Sequence, residues 1–251
     1  MWIGQGGLRW YSEQLKQLMR GWAADAADLV LPRDCVGCAA PIEGQRGTFT
    51  QVCDSCLLEL RRPPERVSAR IPIGCPTFAF APYGGAHRRV VLGVKEHLRD
   101  DAALVAGSMF AAGVEHLQAR GELPWVGQWL AVPAPSRRAS ARARGGDHVR
   151  AMCAHAACIE PLWQVVPLLS HADDVRDSVG LGVQARQENL SGKVQLDVVV
   201  VERHREVIRQ RGSHVVLFDD VITTGATLAE SLKVLQSAGF TVDAAVVICV
   251  A

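Results

Sequence analysis

Apolar residues fall into two patterns along this chain. Near the N-terminus Leu8, Tyr11, Leu15, Leu18 and Trp22 recur at intervals of three and four, the spacing of one helix face, and predict an amphipathic helix. From residue 75 onward short apolar runs at 78–83, 129–132, 165–169, 196–201, 215–218 and 242–250 read as strands, with helical stretches between them. Alternation of this kind predicts an α/β domain with a largely parallel sheet. The small-residue stretch 102–114 contains Ser108 and is too short to span a bilayer, so it reads as a buried helix and no membrane insertion is expected.

These patterns divide the chain into an N-terminal helical segment, 1–31, a small cysteine-bearing module, 32–64, and an α/β domain, 75–251. Arg62-Pro63-Pro64 closes the module as a stiff linker. A chain of 251 residues can bury a full core unaided, whereas so small a module needs a staple. The staple is legible as Cys35-Val-Gly-Cys38 and Cys53-Asp-Ser-Cys56, two CxxC pairs separated by fourteen residues. Four thiolates in two knuckles match a closed tetrahedral zinc site, and Gly37 permits one tight turn. The spacing is one residue shorter than usual for such ribbons, and Pro41, Gly44 and Gly47 suit a hairpin between the knuckles.

Two disulfides or redox-active pairs would use the same spacing. Disulfides require an oxidising compartment, and residues 1–31 carry Arg9, Glu13, Lys16, Arg20, Asp25 and Asp28 with no uninterrupted apolar core for export. The expectation is therefore a cytoplasmic protein with a structural zinc ribbon at Cys35, Cys38, Cys53 and Cys56. Cys75 and Cys249 sit among apolar neighbours and read as small buried hydrophobes. Cys153, His155 and Cys158 fall on one helix at spacings that do not converge, and read as packing or surface residues.

A net charge of +1 gives no global attraction to nucleic acid, but Arg137, Arg138, Arg142, Arg144 and Arg150 crowd one region against Asp147 alone. Guanidinium groups offer paired donors to phosphate oxygens, so this loop suits a pyrophosphate as well as it suits plain solvation. Trp2, Trp10 and Trp22 raise the idea of membrane docking; the mixed charges around them favour packing on the core or a partner.

The most informative stretch is 215–227, VVLFDDVITTGAT. An apolar strand ends in two carboxylates and is followed by Thr223, Thr224, Gly225, Ala226 and Thr227, after which Leu228, Leu232 and Leu235 continue at helical spacing. Unpaired amides at a helix start and flanking hydroxyls suit a phosphate dianion, and Gly225 lets the backbone approach. Asp219 and Asp220 suit the two hydroxyls of a ribose. A helix cap needs one Thr or Asp, and two Asp with three Thr exceed that need. The Gly-Lys-Ser/Thr ending of a triphosphate loop is missing, which disfavours an ATPase.

This stretch resembles the phosphoribosyltransferase signature for 5-phosphoribosyl pyrophosphate, a likeness that implies ribose binding by Asp219 and Asp220 and phosphate binding by residues 223–227. Together with the four-cysteine element, the chain more closely resembles the competence protein ComF family. The matching pieces are Lys95 in the helix before the core, Val132 to Pro135, Arg144-Gly145-Gly146-Asp147, Arg186 with Asn189, and Asp219 to Thr227. Ala134 stands where the family has Val, and Asp147 where it has Asn. The resemblance implies a phosphoribosyltransferase-type fold, Mg²⁺ accompanying the ligand, and Lys95, Arg137, Arg138 and Arg144 as pyrophosphate contacts. It implies either transfer of the phosphoribosyl group to an acceptor or a competence role in DNA uptake, with single-stranded DNA and competence-machinery proteins as partners.

Overall fold

The computed structural model describes residues 34–42, 51–125, 129–136, 147–160, 162–171, 194–211 and 214–251. Along the chain run α1 (Asp54–Leu60), β1 (Glu65–Arg66), β2 (Thr77–Pro82), α2 (Gly85–Lys95), α3 (Asp100–Ala119), β3 (Trp129–Pro133), α4 (His148–Ile159), β4 (Trp163–Val165), β5 (Leu169–His171), β6 (Val194–Leu196), α5 (Val198–Arg203), α6 (Arg205–Arg211), β7 (His214–Ile222), α7 (Ala226–Ser237) and β8 (Thr241–Val250). The N-terminal segment 1–31 lies outside the described residues.

Six strands form the main sheet in the order β1-β2-β8-β7-β3-β4, parallel throughout except for the β1–β2 pair. The protein is thus α/β with a mostly parallel, mixed sheet. Side chains of β7 alternate between two cores: Val216 and Phe218 enter one apolar cluster, Val215 and Leu217 the other. Because both faces are covered, the strand reads in sequence as an unbroken apolar run. Phe218 anchors the first cluster, with its ring 4.6 Å from Phe110 of α3 and 5.4 Å from Trp163 of β4, centroid to centroid.

Two runs read as strands behave differently. The run 165–169 divides into β4 and β5, which belong to separate sheets. Pro167, lacking an N–H, stands at the break. The run 196–201 is strand only to Leu196. Asp197 then accepts a hydrogen bond from the Val200 amide and caps α5, so a local cap overrides the strand preference of four consecutive valines.

The cysteine module packs into the larger core. Val36, Val52 and Leu60 share one cluster with Phe78, Phe80 and Val90. Glu59 Oε1 accepts from the Ala86 amide at the start of α2 (3.0 Å), and Arg89 donates to the Cys38 carbonyl (2.8 Å). Among the described residues no helix is long and apolar enough to cross a membrane.

The crossovers define where a ligand would sit. From β3 the chain passes through α4 to β4, and α4 packs in the cluster with Phe218; from β7 it passes through α7 to β8, and α7 packs in the opposite cluster. Adjacent parallel strands whose crossovers leave toward opposite faces open a crevice at their carboxyl ends, the switch point of such sheets.

Candidate functional site

The acidic pair lies at that switch point. β7 runs four residues past the apolar run and includes Asp219, Asp220 and Ile222, so both carboxylates belong to the strand's last turn of pairing rather than to a loop. Asp220 is buried and fully engaged: Oδ2 accepts from Lys95 Nζ at the end of α2 (2.9 Å) and lies 3.0 Å from His148 Nε2 at the start of α4, while Oδ1 accepts from the Val221 amide (2.7 Å). Burial opposes its charge, but the hydrogen bonds and attraction of His148 and Lys95 outweigh it and hold this carboxyl below the usual carboxylate range. Asp219 keeps partial exposure, and its Oδ1 accepts from the Asp220 amide (2.8 Å). Burial and the neighbouring charge of Asp220 push its carboxyl well above the ordinary value. The pair therefore divides into a clamped carboxylate and a neighbour whose charged form is disfavoured.

Sequence reasoning missed His148. It is the first residue of α4, held there because Asp147 caps the helix by accepting from the Arg150 amide (3.1 Å). This also accounts for the carboxylate at position 147, which serves the helix start. The available signal was Asp147 as an N-cap, which fixes the next side chain at a helix origin beside the sheet. Nε2 faces Asp220, and among the described residues the buried Nδ1 has no hydrogen-bond partner, so the imidazole serves Asp220 through one nitrogen. His148→Leu will destabilise the fold by about 1–3 kcal/mol by stripping a buried carboxylate of a donor. His148→Gln, which can present an amide N–H, will recover part of that loss in thermal unfolding.

Lys95, usually expected to lie along a surface, instead reaches Asp220 across 125 positions of sequence. Beyond β7, Thr223 and Thr224 are exposed and Gly225 is buried. Gly225 has φ +88°, and a Cβ there would stand 2.6 Å from Ala69 Cβ and 3.0 Å from the Ile71 carbonyl oxygen. The loop is tied down by the Ile71 amide donating to the Thr224 carbonyl (2.9 Å). Gly225, the N-cap of α7, has no side chain to offer its amides, and among the described residues the side chain that meets the helix start is Thr224, whose Oγ1 accepts weakly from Ala226 N at 3.3 Å. Gly225→Ala will cost at least about 1–2 kcal/mol from the left-handed backbone alone, with the steric conflict added. A fall in melting temperature of at least several degrees is the expected reading.

The end of β3 and the two residues after it, 132–135, also reach the crevice. The buried Ala134 donates its amide to the Phe218 carbonyl (2.7 Å), and Pro135 O lies 3.0 Å from His171 Nε2 of β5. Arg137, Arg138, Arg142, Arg144, Arg186 and Asn189 lie outside the described residues. Their flanking positions, Ser136 after β3 and Asp147 before α4, are described.

The four module cysteines form a separate centre. Ligand atoms of Cys35, Cys38, Cys53 and Cys56 all lie within 4.8 Å of one another and could hold a metal ion. Cys38 Sγ is 3.6 Å from Cys53 Sγ. A tetrahedron with metal–sulfur bonds of about 2.3 Å has edges of about 3.8 Å, so the spacing is compatible with structural zinc. The Gly37 and Cys53 amides both point at Cys35 Sγ (3.3 Å each), donors that suit a thiolate. Ser55 and the Cys56 amide lower Cys53 to about 6, whereas burial pushes Cys56 up. All eight cysteines are free of disulfides; Cys153 and Cys249 are buried, Cys75 is half-buried and Cys158 exposed. His155 bonds Asp100 across two helices, apart from any thiol cluster. No family model and no curated protein matches this chain, so the reading of both centres rests on their own residues.

Proposed function

We propose that the crevice at the carboxyl ends of β3 and β7 binds a phosphoribosyl ligand of the phosphoribosyl pyrophosphate type with Mg²⁺, on a phosphoribosyltransferase-type domain like that of the ComF family. The observation that carries this reading is a helix start whose N-cap, Gly225, has no side chain and which among the described residues meets only a weak contact from Thr224, with four residues between that cap and the Asp219–Asp220 pair at the switch point of a parallel sheet. The 5-phosphate would take the amides and hydroxyls of residues 223–227, where the helix dipole favours negative charge. Asp219, less engaged than Asp220, would accept from the ribose hydroxyls, and Lys95 with the basic loop would meet the pyrophosphate. Mg²⁺ would enter as the counter-ion of that pyrophosphate, since this ion is commonly held through substrate phosphates. The reaction such a site is equipped for is displacement of pyrophosphate at the anomeric carbon, to an acceptor not named by these residues.

The same proposal gives the four cysteines a structural zinc, held by Cys35, Cys38, Cys53 and Cys56. Its support is the all-sulfur donor set and the lack of any disulfide among them.

Replacing Arg137, Arg138 and Arg144 together tests the basic loop. Affinity for phosphoribosyl pyrophosphate should fall at least tenfold while ribose 5-phosphate is little affected, because only the former carries the extra anionic group. If both small ligands bind unchanged and a steeply salt-dependent affinity for single-stranded DNA is lost instead, the loop serves nucleic acid and the pyrophosphate role is wrong.

A further inference from the structure

An apolar groove of about 740 Å³ runs along the outer side of α3, away from the crevice and lined by residues of α1, α3 and the 61–64 linker. Its floor on α3 is Leu104, Val105, Ser108 and Ala112, and Leu57 and Leu60 of α1 form one wall. The small side chains at Ser108 and Ala112 leave room for a second backbone to approach α3 at helix-packing distance. Ile159 at the far edge is 47% exposed, a large apolar side chain with nothing over it among the described residues. The groove thus lies across the joint between the cysteine module and the sheet domain.

We propose that residues 8–22 occupy this groove as a helix antiparallel to α3, strapping the cysteine module to the domain. Three observations bear on it. Leu8, Tyr11, Leu15, Leu18 and Trp22 repeat in steps of three and four, the narrow apolar seam of one helix lying against another. At the helical rise this seam is about 21 Å long, and the α3 stretch from Leu104 to His116 is about 18 Å, so the two lengths agree. The segment also ends in the right place. Asp34 is fixed by Arg99 just before α3 (2.9 Å), and the Val36 amide bonds the carbonyl of Gln51, which lines the groove. Asp34 lies beside the start of α3, so a seam on α3 that joins it by the short route runs against the direction of that helix, and residues 23–33 are ample to make the join.

Limited trypsinolysis of the full chain, followed by mass spectrometry at Lys16 and Arg20, tests the assignment. In the wild type both sites should be cut slowly. Leu18→Asp, on the segment, and Val105→Asp, on the floor, should each speed cutting at least tenfold with metal content unchanged. Ala112→Glu, at an exposed position that should leave the core intact, should do the same if Val105→Asp fails to fold. Rapid cutting in the wild type would overturn the proposal. So would protection that disappears on dilution, which assigns the seam to a second copy, or protection that arises only with anionic vesicles. Floor substitutions without effect on a protected segment would place it elsewhere and equally overturn it.

Discussion

Replacing Cys56 with serine is expected to abolish stoichiometric metal binding and to unfold the N-terminal module. Binding free energies of structural zinc in small modules are about 10–16 kcal/mol and are largely folding free energy, and a serine hydroxyl is a poor substitute ligand. The damage should spread beyond the module. Val36, Val52 and Leu60 share a core with Phe78, Phe80 and Val90, and each withdrawn large aliphatic side chain removes about 1.5–3 kcal/mol of burial. Metal analysis should fall from about one zinc per chain to none, accompanied by a melting temperature lower by ten degrees or more. Cys158→Ser, an exposed thiol outside the cluster, should change neither. Full zinc retention in Cys56→Ser would remove the four-sulfur centre from the account.

The second large effect separates the two carboxylates. Asp219→Asn should abolish ligand binding while leaving the fold intact or raising its stability by about 1 kcal/mol, which corresponds to about 2–4 °C in a protein of this size. The sign follows from linkage. A carboxyl whose folded-state proton affinity is raised contributes stability below its unfolded pKa and loses it as pH rises through the folded value, so at neutral pH Asp219 weighs against folding. Asn does not titrate and escapes that loss. Asp220→Asn should behave oppositely in stability, because Asp220 contributes stability above its unfolded pKa and loses it only as pH falls. Removing its charge leaves His148 facing a weaker acceptor, a cost of about 1–3 kcal/mol. Both variants should lose binding. Thermal unfolding of the two single variants at pH 7 distinguishes these directions, and equal destabilisation by both would contradict the division of roles.

Much of the architecture was legible because local chemistry and tertiary structure agree. The run at 215–218 is apolar at every position because β7 is covered on both faces, and the two CxxC pairs pointed to the four sulfurs that lie together in the module. The length of β7 was not legible. Two adjacent aspartates argue locally against a strand, and they are tolerated because Lys95 and His148, 125 and 72 positions away in sequence, meet Asp220 there. The same distance hid His148 itself. The valines at 198–201 misled for the converse reason: their strand preference is real, and one Asp197 cap was enough to turn them into a helix. Gly225 read in sequence as the place where the backbone approaches a phosphate; the need for glycine that the structure shows comes instead from Ala69 and Ile71, in a loop about 155 residues earlier, and is a property of the fold.

The central claim is that residues 219–227 hold a sugar phosphate. It is tested most directly by calorimetric titration of phosphoribosyl pyrophosphate with Mg²⁺ into the wild type and into the Asp219→Asn/Asp220→Asn double variant. Both aspartates belong to β7, and a purely structural role for them predicts no difference in binding between the folded proteins. The account predicts saturable binding near one ligand per chain in the wild type and at least a hundredfold loss in the folded double variant, as amide nitrogens are placed where ribose hydroxyls need acceptors. No binding to folded wild type, or equal binding by both proteins, would contradict it.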